Sequence, residues 1–362
     1  MHSTHLRRAH IHGALAGAAV GDALGFPRDG LSRRAARKMY GSPTLRFQSV
    51  GSGVYTSDTH LMLMTAQALL NSRSDLKSFR RAFRSRMKWY LLSLPYCAAS
   101  TYTSAAKCWI ARFGVSTATS LDNNQVGATA IFSTLAMNRT GHRLEKWVDD
   151  TVRITNSNAS VGAGCRVLCA ITDFVAAAKG EDLDHDKILD LAIEAADMSE
   201  LQSKLGQLKE HLKKKDEPAK VADAFGWQHG VGSSMVPTVV MAVYCWLRDP
   251  GNFEKAVLPA IALGGDCSSI GAITGGLVGA YRGFDGIPSE LYNRLGGTPH
   301  GPEWISALAE RFSRWPHGEH DLHMAPAQNS DPPMQLVRNF STLCRIGMNR
   351  LARWPRRAGN RS

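Results

Sequence analysis

The sequence predicts an all-α fold, because apolar residues recur at helical spacing over most of its 362 residues. Hairpin signals are few, and no alternation of apolar and polar residues is sustained over several segments. Apolar residues make up 44% and charged residues 20% of the chain, which is typical of a globular protein and excludes a disordered one. Residues 13–300 contain no Pro/Ser-rich linker long enough to separate two cores, so we expect them to form one unit.

The first helices are predicted from small-residue spacing and from a capping signal. Residues 12–25, HGALAGAAVGDALG, alternate bulkier apolar residues with glycine and alanine, which favours a helix packed closely against its neighbours. Ser57 or Asp58 is expected to cap a helix through LMLMTAQALLNS. Residues 76–94 are amphipathic, and Pro95 should end that helix; its apolar face is formed by Phe79, Phe83, Met87, Tyr90 and Leu94.

The second half of the chain continues the helical pattern through residues 161–178, 186–196 and 199–214. Residues 236–247, VPTVVMAVYCWL, leave two alternatives open. Their β-branched residues suit a strand, whereas twelve largely apolar positions opened by Pro237 suit a buried helix.

The formal net charge of +12 is concentrated in two places. No acidic residue follows Asp331, whereas seven arginines do, and a second basic run occupies residues 76–90. We divide the chain into a helical domain (1–316) and a tether with a basic amphipathic tail (317–362), whose apolar face would comprise Val337, Phe340, Leu343, Cys344, Met348 and Leu351. The tail could dock on its own domain, or bind an acidic partner, nucleic acid or a membrane surface.

Seven cysteines are scattered along the chain without a CxxC pair or a Cys/His zinc spacing. Their odd number and placement predict reduced thiols and a cytoplasmic location.

Two segments combine aspartate with small hydroxyl residues: YTSDTHLM (55–62) and GGDCSSIGAITGGLVGAYRG (264–283). Each alone describes a common helix cap or turn. Occurring together with GAAVGDALG, they predict that both segments line one oxygen-rich pocket. Carboxylate and hydroxyl oxygens are the ligands that Mg²⁺ and Ca²⁺ prefer.

With HGALAGAAVGDALGFPRD (12–29), these segments resemble the ADP-ribosylglycohydrolase family over roughly residues 11–300. YTSDTHLM is similar to the family's T-D-D-T block, and the second segment to its G-G-D-x-D-[TS]-I block. The resemblance implies a compact orthogonal multi-helix domain with a magnesium pair in a central cleft. It also implies hydrolysis of the bond between ADP-ribose and a protein or small-molecule acceptor.

The resemblance also implies the site residues. Catalytic roles would fall to Asp29, Asp58 and Asp266. The expected metal ligands are Thr56, Ser57, Asp58, Asp266, Ser268 and Ser269. The expected substrate contacts are Asp29, close to the distal ribose, and Asn124, Gly127, Asn156, Gly232 and Ser233.

The chain departs from the family pattern at the pocket. Ser57 and Ser268 stand where the family has aspartate, and Asn156 where it has histidine. Two carboxylates do not balance the charge of two divalent ions, so we expect one magnesium ion or none. Three functions stay open: an ADP-ribosyl glycohydrolase with a weakened metal site, a catalytically impaired member that binds ADP-ribose or a related nucleotide as a sensor or scaffold, and a nucleic-acid or membrane-surface protein.

Overall fold

The fold is all-α, as predicted. A computed structural model describes residues 2–48, 52–72, 75–137, 144–177, 183–296, 300–314 and 332–353. In these ranges the α-helices are α1 His2–Gly25, α2 Arg33–Tyr40, α3 Ser57–Ser72, α4 Leu76–Leu92, α5 Ala99–Ile110, α6 Gly127–Met137, α7 Leu144–Thr155, α8 Ala159–Ala177, α9 His185–Ala195, α10 Ser199–Lys213, α11 Pro218–Ala224, α12 Met235–Arg248, α13 Phe253–Ile261, α14 Cys267–Arg282, α15 Ser289–Asn293, α16 Pro302–Arg314 and α17 Pro332–Arg353.

Helices α1 and α14 form the centre of the fold and touch backbone to backbone. A Cβ atom on Gly17 would overlap the carbonyl oxygen of Gly275, and one on Gly21 would overlap that of Gly271. The glycines recur every four residues on both helices, so they lie on one face of each. This contact explains the small-residue spacing of residues 12–25, and it fixes Asp22 of α1 relative to the start of α14.

A two-stranded antiparallel sheet holds the start of α14 against the chain that follows α1. Strand β1, Leu31–Ser32, pairs with β2, Gly264–Gly265. Both glycines of β2 have positive φ values, +75° and +86°, and a Cβ on either would overlap the backbone of a neighbouring segment. Other residues are disfavoured there for both reasons.

The ambiguous segment 236–247 lies in helix α12. Its side chains are almost all buried, and the helix packs against α8, α10, α13 and α14. Pro237 lies in the first turn, where its missing N–H is not needed. The β-branched residues therefore reflect burial, not strand structure.

Helix α8 is long and apolar enough to cross a membrane by length and composition. Within the described structure 61% of its most apolar window is buried, against neighbours that include α6, α7 and α9. We interpret α8 as a core helix. All seven cysteines are free thiols.

Two local predictions were wrong. Helix α3 begins at Ser57, so neither Ser57 nor Asp58 caps it from outside; Asp22 of α1 accepts the hydrogen bonds at its start instead. Helix α4 ends at Leu92, and Leu94 has a φ of 51° and is 52% exposed, so it does not belong to the apolar face.

The C-terminal helix α17 docks on its own domain, but through the opposite face from the predicted one. Asn339 is buried, and its Nδ2 donates to the carbonyl oxygen of Ser93 at 2.8 Å. Val337 and Phe340 are 68% and 65% exposed. Of the alternatives left open for the tail, docking on its own domain is therefore the one that the structure shows, and it does not use the apolar face. The tether, residues 317–331, and the side chains of Met348 and Leu351 lie outside the described residues.

Candidate active site

The carboxylate of Asp22 fixes the start of helix α3. It accepts hydrogen bonds from the backbone N–H of Thr56 at 2.9 Å and of Thr59 at 3.2 Å, and from the Thr59 hydroxyl at 2.7 Å. Asp22 is fully buried, and burial raises its pKa to about 7 against the opposing effect of these hydrogen bonds. Asp22 is thus a structural residue that positions the first oxygen cluster.

The first cluster, Thr56, Ser57 and Asp58, is buried at this helix start. The Thr56 hydroxyl donates to Asp58 Oδ2 at 2.9 Å. Two other side-chain oxygens, Ser57 Oγ and Asp58 Oδ1, are buried and have no hydrogen-bond partner in the described structure. Buried polar atoms are usually paired, so these oxygens are candidates for binding an ion or a water molecule.

The second cluster, Asp266, Ser268 and Ser269, forms the N-terminus of α14. Asp266 caps the helix, because its Oδ1 accepts the backbone N–H of Ser269 at 3.2 Å. Cys267 lies between Asp266 and Ser268 in the sequence. Its thiol is buried against the backbone of Arg28 and Ile261, and burial raises the pKa of that thiol. The cysteine therefore packs behind the cluster as an inert thiol.

The two clusters meet, as the sequence predicted. Burial raises the pKa of Asp58 well above its usual value, and the nearby charges of Asp22 and Asp266 raise it further, against the lowering effect of the Ser269 and Thr56 hydroxyls. Ser269 Oγ makes no hydrogen bond of full geometry, although it lies close enough to Asp58 to act on its pKa. Ser269 is thus the residue through which the clusters adjoin.

Asn124, in the turn before α6, is hydrogen-bonded to the second cluster. Its Nδ2 donates to Asp266 Oδ2 at 3.1 Å and to the hydroxyl of Thr238 at 2.9 Å. Its Oδ1 is buried without a hydrogen-bond partner in the described structure. Thr238 was not predicted as a site residue from the sequence. It lies in the first turn of α12, after the glycine-rich loop, and its hydroxyl was the only feature of the sequence that could have indicated this role.

Asp29 lies beside the second cluster and is 6% exposed. Its Oδ1 accepts the backbone N–H of Ser268 at 2.8 Å, and its Oδ2 accepts the Ser268 hydroxyl at 2.6 Å. Burial raises the pKa of Asp29 well above its usual value, and the charge of Asp266 raises it further. The structure brings Asp29 to the site; its role toward substrate stays a prediction.

The remaining predicted substrate contacts lie in three different environments. Asn156 is buried, and its side chain donates to the Leu121 carbonyl at 2.7 Å and accepts the N–H of Asn158 at 2.7 Å. Gly127 is buried where a Cβ would overlap Ile273 of α14, so packing accounts for it. Gly232 and Ser233 are exposed in the loop before α12, next to Val231, which pairs with Gly265.

Buried side-chain oxygens without a hydrogen-bond partner in the described structure lie in both clusters. Among the described residues no group of three or more His, Cys, Asp or Glu side chains is arranged to hold a metal ion. Ser57 Oγ, Asp58 Oδ1 and Ser269 Oγ are nevertheless buried oxygens of the kind that magnesium and calcium bind. On the α14 side, both Asp29 oxygens and both Asp266 oxygens accept hydrogen bonds within the site.

Comparisons with known proteins agree with this geometry. The chain is 26% identical over 340 residues to an ADP-ribosylarginine hydrolase from Serratia proteamaculans, which covers 88% of this chain and 80% of the relative. It is 29% identical to an ADP-ribosylhydrolase from Homo sapiens over 123 residues, 30% of this chain and 32% of the relative. A solved structure titled ADP-ribosylglycohydrolase-related protein complex has the same fold, with a TM-score of 0.62 and 22% identity over 85% of this chain and 98% of the other.

The family itself is identified by a match over most of the chain. The model of the family described as ADP-ribosylglycohydrolase matches residues 3–321, a range that contains both oxygen clusters and the helices that carry them. The chain therefore belongs to the ADP-ribosylglycohydrolase family.

Proposed function

We propose that this protein hydrolyses the bond between ADP-ribose and an acceptor, using a site that holds one divalent cation weakly. The observation that carries the proposal is the meeting of Asp58 and Asp266 at Ser269, with buried oxygens there that have no hydrogen-bond partner. Family membership supports the reaction type. A cytoplasmic location remains part of the proposal, and the free thiols support it.

In the proposed reaction the side chains of the site have separate roles. Asp58 and Asp266 would hold the cation, with the hydroxyls of Ser57 and Ser269 as neutral ligands. A bound magnesium ion supplies orientation of the ribose hydroxyls and activation of a water molecule. Asp58 Oδ1 has no hydrogen-bond partner in the described structure, so it is the carboxylate oxygen available to bind the cation. Asp29 fixes Ser268 through two hydrogen bonds.

Arginine is the acceptor to test first, because the relative from Serratia proteamaculans and a second one from Pseudomonas putida are named ADP-ribosylarginine hydrolases. The assay measures release of ADP-ribose from an arginine-modified protein, with magnesium, manganese or calcium supplied. A serine-linked conjugate and a small-molecule conjugate test the other acceptors. Absence of release from all three, with every metal, would refute the hydrolase.

A variant that restores the family's acids separates a weak enzyme from an inactive one. We expect Ser57→Asp with Ser268→Asp to increase magnesium affinity, measured by calorimetry, because each added carboxylate strengthens attraction to the cation. Ser199→Asp with Ser289→Asp, at exposed sites that begin α10 and α15, is the charge-matched control and should leave affinity unchanged. If the wild type hydrolyses nothing while the double variant does, the native protein is the impaired member.

A second function, binding without hydrolysis, is favoured by one observation. The Ser268 hydroxyl is hydrogen-bonded to both Asp29 and Asp266 on the α14 side of the site, so the protein itself links these two acids. A protein of this kind would bind ADP-ribose or a related nucleotide as a sensor or scaffold. Calorimetry with ADP-ribose in the absence of metal tests it, and a flat titration at millimolar ligand would exclude it.

A further inference from the structure

Exposed apolar side chains are confined to two parts of the described chain. All fifteen large hydrophobic side chains that are more than about a third exposed belong to residues 89–121 or 334–343. The first group includes Trp89, Leu92, Trp109 and Phe113, and the second includes Phe340. Exposed apolar residues scattered singly need no explanation, whereas this concentration indicates an interaction surface.

The two parts adjoin, because α17 docks at the end of α4. Asn339 is hydrogen-bonded to Ser93, the residue that follows the end of α4. Arg338 lies over the ring of Tyr55 and donates to His60 at 2.7 Å. This anchoring uses the polar face of α17. It leaves Val337 and Phe340 directed outward without any rearrangement of the helix.

The same two parts carry the positive charge of the chain. Residues 76–121 contain eight Lys or Arg and no acidic residue, and residues 332–362 contain seven Arg and no acidic residue. The whole chain has 43 basic and 31 acidic residues, so the remainder holds 28 basic against 31 acidic. The partner of this surface must therefore be both anionic and apolar.

Basic and apolar side chains share one face of α4. Four exposed side chains of α4 follow one another at spacings of four, eight and three residues, which places them along one side of the helix: Lys77, Arg81, Trp89 and Leu92. Lys88 lies 5.7 Å from the centre of the Trp109 ring, joining the charge of α4 to the aromatic residues of α5. Long basic side chains beside tryptophan are typical of proteins at the membrane–water interface.

We propose that the surface formed by α4, α5 and α17 binds an anionic lipid bilayer. Leucine, isoleucine and valine supply much of the exposed apolar area, which favours acyl chains over nucleic-acid bases as the apolar partner. Acidic headgroups match the basic side chains of this surface, which include Lys77, Arg81 and Lys88. Helix α17 lies in the interface plane, and the domain binds without unfolding.

Flotation of the full chain with lipid vesicles tests the proposal. We expect binding to phosphatidylcholine vesicles that contain about a third phosphatidylserine, little binding to pure phosphatidylcholine, and release by salt. Lys77→Gln with Arg81→Gln should lower the partition coefficient about 25-fold, since each basic residue near the surface contributes about a factor of five. Arg37→Gln with Lys213→Gln, two exposed basic residues outside the surface, is the matched control and should change binding less than about twofold.

The apolar contribution needs its own pair of variants. Val337→Ser with Phe340→Ser should reduce binding at least about tenfold, whereas Val337→Leu with Phe340→Leu should retain it. Both sites are exposed, so an unchanged thermal unfolding curve confirms that the fold persists. The proposal is overturned by equal binding to neutral vesicles, by equal losses in the control pair, or by binding of a single-stranded RNA oligomer in place of vesicles.

Discussion

Replacing Asp22 with alanine tests how the protein positions its first oxygen cluster. The carboxylate of Asp22 accepts hydrogen bonds from the N–H groups of Thr56 and Thr59 and from the Thr59 hydroxyl. Asp22→Ala removes every one of these acceptors. All three residues are buried, so water does not readily replace the lost oxygen atoms.

The expected loss follows from the two backbone donors. A buried donor without a partner costs about 1–3 kcal/mol, so two of them lower the free energy of unfolding by about 2–6 kcal/mol. Domains are stable by about 5–15 kcal/mol, which makes this loss a large fraction of the total. Asp22→Asn retains one acceptor oxygen and should lose about half as much.

Urea denaturation at equilibrium measures these differences. The matched control is Asp223→Ala, which removes an exposed carboxylate that pairs with Arg33 at 2.7 Å. An exposed ion pair contributes about 1 kcal/mol or less. If Asp22→Ala costs no more than Asp223→Ala, then Asp22 does not hold the start of α3 in the way the hydrogen bonds indicate.

Three further predictions concern parts of the fold away from the metal ligands. Gly17→Val should prevent stable folding, because the added Cβ would overlap the Gly275 carbonyl; the measurement is loss of the thermal unfolding transition. Gly206→Ala in α10, where a Cβ has room, should instead raise the free energy of unfolding by about 0.5–1 kcal/mol. Burial, with the charge of Arg8, lowers the pKa of His12 to about 4. The contribution of His12 to the free energy of unfolding is therefore fully present above pH 6.5, and up to about 3 kcal/mol of it is lost as the pH falls through 4. His12→Phe should flatten that part of the plot of unfolding free energy against pH. Burial, with the charge of Arg338, lowers the pKa of His300 to about 3, so Arg338→Ala should raise that pKa in an NMR titration. An unchanged value would show that α17 does not dock as described.

Helix positions were predictable from sequence because burial imposes a period on apolar residues. Helix α4 carries Phe79, Phe83, Met87 and Tyr90 on its buried side, and the sequence alone identified that face. The close contact of α1 with α14 was visible in the glycine spacing of both segments. The strand-like composition of α12 could not be resolved in this way, because a helix buried on all sides loses its amphipathic period.

Contacts between distant segments were beyond sequence reasoning. A local capping rule favoured Ser57 or Asp58 at the start of α3, but the acceptor comes from Asp22 on another helix. The orientation of α17 failed for a related reason. Its apolar stripe was visible in the sequence, but the polar atoms of Ser93 and His60, which bind the face that carries Arg338 and Asn339, were not.

Ser268 stands where the family resemblance implies an aspartate, and its neutral hydroxyl gives the site different electrostatics from those that an acid would give. An aspartate at position 268 would put a third carboxylate next to Asp29 and Asp266, and like charges at that distance repel strongly in a buried site. A cation would then be needed to hold them together. The serine hydroxyl instead donates its proton to Asp29 Oδ2 at 2.6 Å and lies 3.2 Å from Asp266 Oδ1, so a neutral group bridges the two acids. Under the proposed function, the serine that would lower the affinity for metal would therefore also lower the need for it.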